Sequence, residues 1–234
     1  MVQVESNIWL ILIAAISYFL GSFPTAYFVA KKLSGKDIRL EGSGNIGAMN
    51  AYRLLQEKSK RLARLGISLA MLGDVGKAAL AIFIVRWLGF LEYSPIAALT
   101  IGSFFVVLGH NYSIFFNFRQ GGRGIACLMG ILLALHPPLF GAWGGTVLFS
   151  IFLVQHLLVQ RITTKNVSKW FSIVSSQVLG RVVGIGISLV PIYFINPQLF
   201  YPILAATILV LIKNVERVKA YVRESGVLKS RPSG

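Results

Sequence analysis

Residues 8–30 read IWLILIAAISYFLGSFPTAYFVA, and this apolar run decides the fold class of the chain. A membrane-spanning helix needs about 20 mostly apolar residues, and this run meets that length. It is longer than the core of a signal peptide, and no Lys or Arg precedes it. We therefore expect a helix that is retained in the membrane.

The composition of the whole chain supports the same fold class. The chain of 234 residues is 55% hydrophobic and 13% charged, whereas a soluble domain carries about 25% charged residues. We predict an all-α integral membrane protein that forms one domain over residues 1–234. The lone Cys127 excludes an intramolecular disulfide.

The hydropathy pattern predicts about seven transmembrane helices. Pro137 and Pro138 end one apolar run, and Asn196-Pro197 ends another, because proline disrupts helices. The fourth span is short, and the sixth lies somewhere within its range. The predicted spans are Ile8–Ala30, Ile67–Trp87, Ser94–Leu108, Ile125–Leu135, Leu139–Val159, Trp170–Ile195 and Leu199–Ile212.

The net charge of +15 is distributed between these spans. Residues 31–64 hold nine Lys or Arg, whereas the loops at His136 and Asn196 hold none. Cytoplasmic loops of membrane proteins are enriched in Lys and Arg, so we predict the N-terminus outside and the C-terminus inside. A nucleic-acid partner is disfavoured, since the basic residues do not form one continuous module. Membrane lipids are the partners that this charge pattern favours.

A glycine-rich loop follows the first span. Residues 41–53 read EGSGNIGAMNAYR. Glycines let the backbone turn tightly and direct several N–H groups at one point, while an arginine binds phosphate in two places. The loop therefore predicts an anion site, although a simple turn beside a surface arginine is the alternative. The residues of this predicted site are Gly42, Ser43, Gly44, Asn45, Gly47, Asn50 and Arg53.

A second glycine-rich loop follows the third span. Residues 109–124 read GHNYSIFFNFRQGGRG, and the final glycines open the next predicted helix. Backbone N–H groups at a helix start favour anions. His110 is a base, a hydrogen-bond donor or a packed side chain. The residues assigned to this second site are His110, Gly121, Gly122, Arg123 and Gly124.

Two further features are ionisable residues within predicted spans. Asp74 and Lys77 are three residues apart, so they share a helical face. Ionisable groups in membrane spans often pair, and we predict an ion pair that positions the loops. Arg181 either extends its charge to the membrane surface or marks a later start of the sixth helix.

Together these features resemble the bacterial acyl-phosphate:glycerol-3-phosphate acyltransferases, the PlsY type. The resemblance implies a multi-pass protein of the inner (plasma) membrane with no metal and no cofactor. It implies transfer of an acyl chain from acyl phosphate to the 1-hydroxyl of glycerol 3-phosphate, giving lysophosphatidic acid. The catalytic residues that it implies are Ser43, Arg53, Arg123, Ser172 and Asn214. The substrate-binding residues that it implies are Gly42, Gly44, Asn45, Gly47, Asn50, His110, Gly121, Gly122 and Gly124.

Three positions depart from the pattern of that family. Met49 replaces a threonine, Arg123 replaces a lysine, and Leu211 replaces a histidine that precedes Asn214. The alternative hypothesis is therefore a non-catalytic homologue that binds lipid or serves as a structural subunit with partner membrane proteins. A transporter of anions is a third hypothesis, but no inverted repeat supports it.

Overall fold

A computed structural model describes residues 2–89, 95–159 and 167–225 of the chain. Within these residues every regular element is helical, which confirms the all-α fold class. The α-helices are α1 (Val2–Ser22), α2 (Thr25–Ser34), α3 (Ala48–Gln56), α4 (Lys60–Gly89), α5 (Pro95–Asn111), α6 (Ile125–Leu135), α7 (Pro137–Val154), α8 (Val167–Ser176), α9 (Val178–Ile187), α10 (Leu189–Ile195) and α11 (Phe200–Ser225).

Six helical segments of the described residues are long and apolar enough to cross a membrane. The shorter apolar helix α6, with the bounds predicted for the fourth span, adds a seventh hydrophobic segment. The chain is therefore an integral, multi-pass membrane protein, while the orientation of its termini stays a prediction. The six segments are Ile8–Ser34, Lys60–Leu88, Pro95–Phe116, Pro137–Leu158, Val178–Ile195 and Pro197–Arg223.

The first predicted span is divided into two helices. Pro24 has no N–H, so the helix is interrupted between Ser22 and Thr25. α2 then ends at Gly35, which is left-handed with φ of 78°. A left-handed glycine is a common helix C-cap. At Gly35 the chain therefore changes direction and leads toward the first glycine-rich loop.

The last two predicted spans also have different bounds in the structure. The sixth begins at Val178, because Gln177 caps α9 by accepting from Gly180 N at 3.4 Å. Arg181 lies in α9 and donates to Val174 O at 2.6 Å and Ser175 O at 3.0 Å. Of the two interpretations of Arg181, the structure favours the later helix start. The seventh helix, predicted to end at Ile212, continues as α11 to Ser225.

The chain divides into two compact units, and whether it forms one domain stays a prediction. The first unit contains residues Met1–Pro137 and Tyr201–Val210, and the second contains Pro138–Phe200 and Leu211–Gly234. In the second unit, Gly180 packs against α7, where an added Cβ would lie 2.7 Å from Ile151 Cα. Small residues permit this close approach of two membrane helices.

The first unit is built on close contacts among α1, α4, α5 and α6. Gly21 of α1 lies directly against Val106 O of α5, and Gly109 lies against Tyr18 O in return. Gly130 of α6 lies against Val75 O of α4 in the same manner. Because no side chain separates these backbones, the ends of α5 and α6 that carry the second glycine-rich loop are held in fixed positions.

Candidate active site

The first glycine-rich loop is shaped from inside by one asparagine. Asn50 is 3% exposed, and its Nδ2 donates to Glu41 O at 2.9 Å and to Ile38 O at 3.2 Å. Its Oδ1 accepts from Ser43 N at 3.2 Å. A Cβ on Gly42 would lie 2.6 Å from that Oδ1. Asn50 therefore fixes the loop, and a direct contact between Asn50 and a phosphate remains a prediction.

The same loop presents its remaining polar groups outward. Gly42 and Gly44 are left-handed, with φ of 56° and 64°, a conformation that glycine adopts without strain. Ser43 and Arg53 are exposed. Gly47 is the N-cap of α3 without a side-chain cap, so backbone N–H groups of the first turn lie at the loop. Such an arrangement suits an anion.

A guanidinium holds the segment just before the first loop against the second loop. Arg39 is bound by the Asp37 carboxylate, with Nη2 2.6 Å from Oδ2. Its Cζ lies 5.5 Å from the ring centre of Tyr27 and 5.0 Å from that of Phe116. Hydrogen bonds from Arg39 lower the pKa of the Asp37 carboxyl, although burial opposes this shift. Cations over aromatic faces are attracted by the ring quadrupole.

The second glycine-rich loop folds back on the end of α5. Gly122 N donates to His110 O at 2.9 Å, and Ser113 N donates to Gln120 O at 3.2 Å. Gly121 lies against His110 O, and the Cα of Gly122 lies against the imidazole of His110. A side chain at either glycine would collide with these atoms. Gly124, with φ of 81°, then caps α6.

The two loops meet although they are far apart in the sequence. Ile46 N of the first loop donates to Gly121 O of the second at 3.4 Å. Both loops border one narrow polar cleft of the first unit, in which predicted and unpredicted residues lie together. The cleft is lined by Ser22, Phe23, Pro24, Thr25, Ile46, Asp74, Lys77, His110, Ser113, Phe116, Gly121 and Gly122.

A buried ion pair lies in the wall of this cleft. Lys77 Nζ is 2.8 Å from Asp74 Oδ1, and both side chains are nearly inaccessible, at 8% and 3% exposure. Nζ also donates to Phe23 O at 2.7 Å and lies 3.0 Å from His110 Nδ1. An ammonium has three donors and no acceptor, so His110 Nδ1 is the acceptor. The predicted Asp74–Lys77 pair is confirmed.

Comparison with known proteins identifies the family of the chain. A family model described as glycerol-3-phosphate acyltransferase matches residues 11–223. The chain belongs to this family. It is 36% identical to the Clostridioides difficile glycerol-3-phosphate acyltransferase over 186 residues, which is 79% of this chain and 76% of that protein. It is 42% identical to the Pseudomonas aeruginosa enzyme of the same name over 131 residues.

The Pseudomonas aeruginosa match spans 56% of this chain and 62% of its relative's length. Two crystal structures of PlsY (YgiH), an integral membrane glycerol 3-phosphate acyltransferase, share the fold. The lysophosphatidic acid form has a TM-score of 0.61 at 18% identity. The glycerol 3-phosphate form has a TM-score of 0.63 at 20% identity. Each alignment covers 92% of this chain and 93% of that one.

The residues that the family resemblance predicted are distributed over both units. His110, Gly121 and Gly122 line the cleft of the first unit, and Arg123 lies half-buried beside them in sequence. In the second unit, Ser172 is exposed on α8, and its carbonyl accepts from the hydroxyls of the two serines that follow. Asn214 is 1% exposed on α11. The catalytic roles of Ser172 and Asn214 stay predictions.

Sequence reasoning missed several groups of the cleft. The Phe23 carbonyl accepts from Lys77, and Ser22 and Thr25 contribute hydroxyls to the cleft wall. The available signal was Pro24 inside an apolar run, since a proline interrupts a helix and leaves polar backbone groups at the break. Among the described residues, no group of three or more His, Cys, Asp or Glu is suited to hold a metal ion.

Proposed function

We propose that this chain transfers an acyl chain from acyl phosphate to glycerol 3-phosphate, giving lysophosphatidic acid for phospholipid synthesis. The observation that carries this proposal is the junction of the two glycine-rich loops at Ile46 and Gly121 around one polar cleft. Family membership over residues 11–223 supports it. The localisation that fits this activity is the inner (plasma) membrane, with the loops on the cytoplasmic face.

The chemistry requires positioning and charge stabilisation more than a reactive side chain. The glycerol 1-hydroxyl attacks the acyl carbonyl carbon, a new C–O bond forms, and the bond between that carbon and the phosphate oxygen breaks. The departing phosphate takes the hydroxyl proton, so no protein base is needed. Backbone N–H groups of the loops with Arg53 and Arg123 stabilise the phosphates, and Ser43 orients them.

The alternative function is that of a non-catalytic homologue. Leucine at position 211 cannot donate the hydrogen bond of an imidazole, and Met49 removes a hydroxyl. Arg123 keeps the charge of the family's lysine but changes its geometry. A chain with these changes would bind lipid or support a complex of partner membrane proteins without turnover.

A direct assay separates these functions. The purified protein is mixed with palmitoyl phosphate and glycerol 3-phosphate, and lysophosphatidic acid is measured by mass spectrometry. For an enzyme, Arg53→Ala should lower kcat/KM at least about tenfold, since charge-assisted hydrogen bonds contribute about 1.5–3 kcal/mol. Arg61→Ala is the matched control, because Arg61 is an exposed arginine at the start of α4, outside both glycine-rich loops. Equal kcat/KM values for both variants would show that Arg53 is not part of the site.

The Leu211 position gives a second test of the alternative. In a weakened enzyme, Leu211→His should raise the rate several-fold, since one restored hydrogen bond is worth about 1 kcal/mol. A native chain that forms no lysophosphatidic acid, and whose Leu211→His variant is equally inactive, contradicts the proposed function. If that inactive chain co-purifies with other membrane proteins in mild detergent, the result would favour the hypothesis of a structural subunit.

A further inference from the structure

One buried serine in the wall of the polar cleft has an unused hydroxyl group. Ser22, the last residue of α1, is 1% exposed, and among the described residues its Oγ has no hydrogen-bond partner. The same residue lines the cleft. Burial of a hydroxyl without a partner costs free energy, so a ligand that supplies the missing hydrogen bond gains affinity.

The neighbouring polar side chains of the cleft differ from Ser22 because they are bound to the protein. Ser113 Oγ donates to the Ser22 carbonyl at 2.7 Å and accepts from Phe115 N at 3.3 Å. Lys77 Nζ is 2.8 Å from Asp74 Oδ1. These groups shape the cleft wall, whereas the hydrogen-bonding capacity of the Ser22 hydroxyl remains for a ligand.

The position of this hydroxyl is fixed by the contact between α1 and α5. A Cβ on Gly109 of α5 would lie 3.0 Å from Ser22 Oγ and 2.9 Å from Ser22 N, so the two helices touch at this serine. Phe23 and Pro24 follow Ser22 and line the same cleft. A polar group that is held by rigid helices can discriminate between ligands of similar shape.

Two other buried serines show what helix packing alone requires. Ser17 of α1 and Ser103 of α5 are fully buried, and their hydroxyls also have no partner among the described residues. Small residues permit close contact of membrane helices, and Ser17 Oγ lies 3.4 Å from the position of a Cβ on Gly102. Of these three serines, Ser22 is the one that lines the cleft.

We propose that Ser22 binds the secondary hydroxyl of glycerol 3-phosphate and thereby selects this acceptor over phosphate esters that lack that hydroxyl. The inference rests on the proposed function and names a specificity-determining residue of that site. A hydroxyl carries one donor and two acceptor lone pairs, so it complements another hydroxyl, whereas a phosphate dianion offers it no hydrogen. The backbone N–H groups of the loops suit the phosphate, and the glycerol part then extends toward the end of α1.

The first test measures binding without turnover. Glycerol 3-phosphate and 3-hydroxypropyl phosphate, which lacks the secondary hydroxyl, are titrated separately into the purified protein without an acyl donor, and each Kd is measured by calorimetry. A site that hydrogen-bonds a substrate hydroxyl rejects the analogue without it. The native chain should therefore prefer glycerol 3-phosphate, and Ser22→Ala should lower this preference at least about fivefold.

The matched controls are Ser17→Ala and Ser103→Ala, which remove equally buried hydroxyls outside the cleft and should leave the preference unchanged. Ser22→Ala should keep the native Tm, because the hydroxyl has no hydrogen bond to lose among the described residues. An unchanged preference in Ser22→Ala overturns the inference, even if both ligands bind more weakly, since Ser22 would then contact a group that both share. An equal loss of preference in either control overturns it as well, because helix packing would then be the cause.

The second test measures acyl transfer from palmitoyl phosphate to the same two acceptors, and it separates this inference from the proposed function. Native transfer with an unchanged acceptor preference in Ser22→Ala overturns the role of Ser22 and leaves the transferase intact. A native chain that forms no lysophosphatidic acid, but binds glycerol 3-phosphate with the expected dependence on Ser22, overturns the transferase and supports the Ser22 contact. A native chain that does not bind glycerol 3-phosphate overturns both.

Discussion

The ion pair between Asp74 and Lys77 should be a large single contribution to the stability of the first unit. Lys77 has no spare hydrogen, because Asp74, the Phe23 carbonyl and His110 take all three donors at 2.7–3.0 Å. Both side chains are nearly inaccessible. Removal of one partner therefore leaves the other as a buried charge without compensation.

The expected magnitude follows from this burial. Breaking a buried pair by removing one partner costs about 3–5 kcal/mol. For a chain of this size, each kcal/mol lowers Tm by about 2–4 °C, so Lys77→Met or Asp74→Leu alone should lower Tm by roughly 6–20 °C. The double variant restores neutrality, and we expect it to be about 2–3 kcal/mol more stable than the sum of the single effects.

The assay is reversible denaturation in mixed detergent micelles, followed by helical circular dichroism, for the native chain, both single variants and the double variant. The matched control is the exposed pair of Glu216 and Lys219. It has the same spacing and the same 2.8 Å distance, but the Glu216 side chain is 83% exposed and the Lys219 side chain is 57% exposed. Solvent screens such pairs, so Lys219→Met should cause no measurable change.

Two results would refute this reasoning. Single variants that each lower stability by less than about 1 kcal/mol would mean that water reaches the pair and compensates the remaining charge. A double variant whose loss equals the sum of the single losses would mean that Asp74 and Lys77 act independently.

Three further predictions concern the second loop, the end of α6 and the topology. Gly122→Ala should abolish any transferase activity measured in detergent, because its methyl group collides with the facing imidazole. Arg86→Met should lower Tm by roughly 2–8 °C, since it loses hydrogen bonds to the last two carbonyls of α6; Arg64→Met, an exposed arginine of the same helix, should not. In intact cells, a membrane-impermeant maleimide should label Gln198→Cys and not Glu57→Cys; the opposite pattern would reverse the topology.

Much of the fold was predictable because hydropathy in a membrane protein is a local signal. The α6 bounds were predicted correctly, since Gly124 and the prolines after Leu135 mark both ends in the sequence. The division of the first span was not predicted, because its composition stays apolar across Pro24. Whether a proline bends or interrupts a helix depends on hydrogen-bond partners for the backbone groups at the break, and here Lys77, far away in the sequence, donates to the Phe23 carbonyl.

The candidate site was less predictable, because its geometry depends on contacts between distant residues. The amide of Asn50 holds residues 38–43 in the structure, a role that the sequence did not predict, while its contact with a phosphate stays a prediction. No role for Arg39 was predicted, because it is one of several basic residues in this segment. In the structure its guanidinium lies over the ring of Phe116 in the second loop. Neither role is visible in residue type or local spacing, because each requires the folded path of the chain.

The distribution of charge in the cleft suggests a division of roles among its basic residues. The charge of Lys77 is balanced by Asp74, and its three hydrogens are used by protein acceptors. Lys77 therefore helps to form the cleft wall but adds little to the electric field in the cleft. In the proposed function, the charge that attracts a phosphate is therefore assigned to the backbone N–H groups of the loops and to cations such as the exposed Arg53. Loss of Lys77 should thus act first on folding, whereas loss of Arg53 should act on kcat/KM in a chain of native stability. The two variants therefore control for each other: one should change stability, and the other should change kcat/KM at native stability.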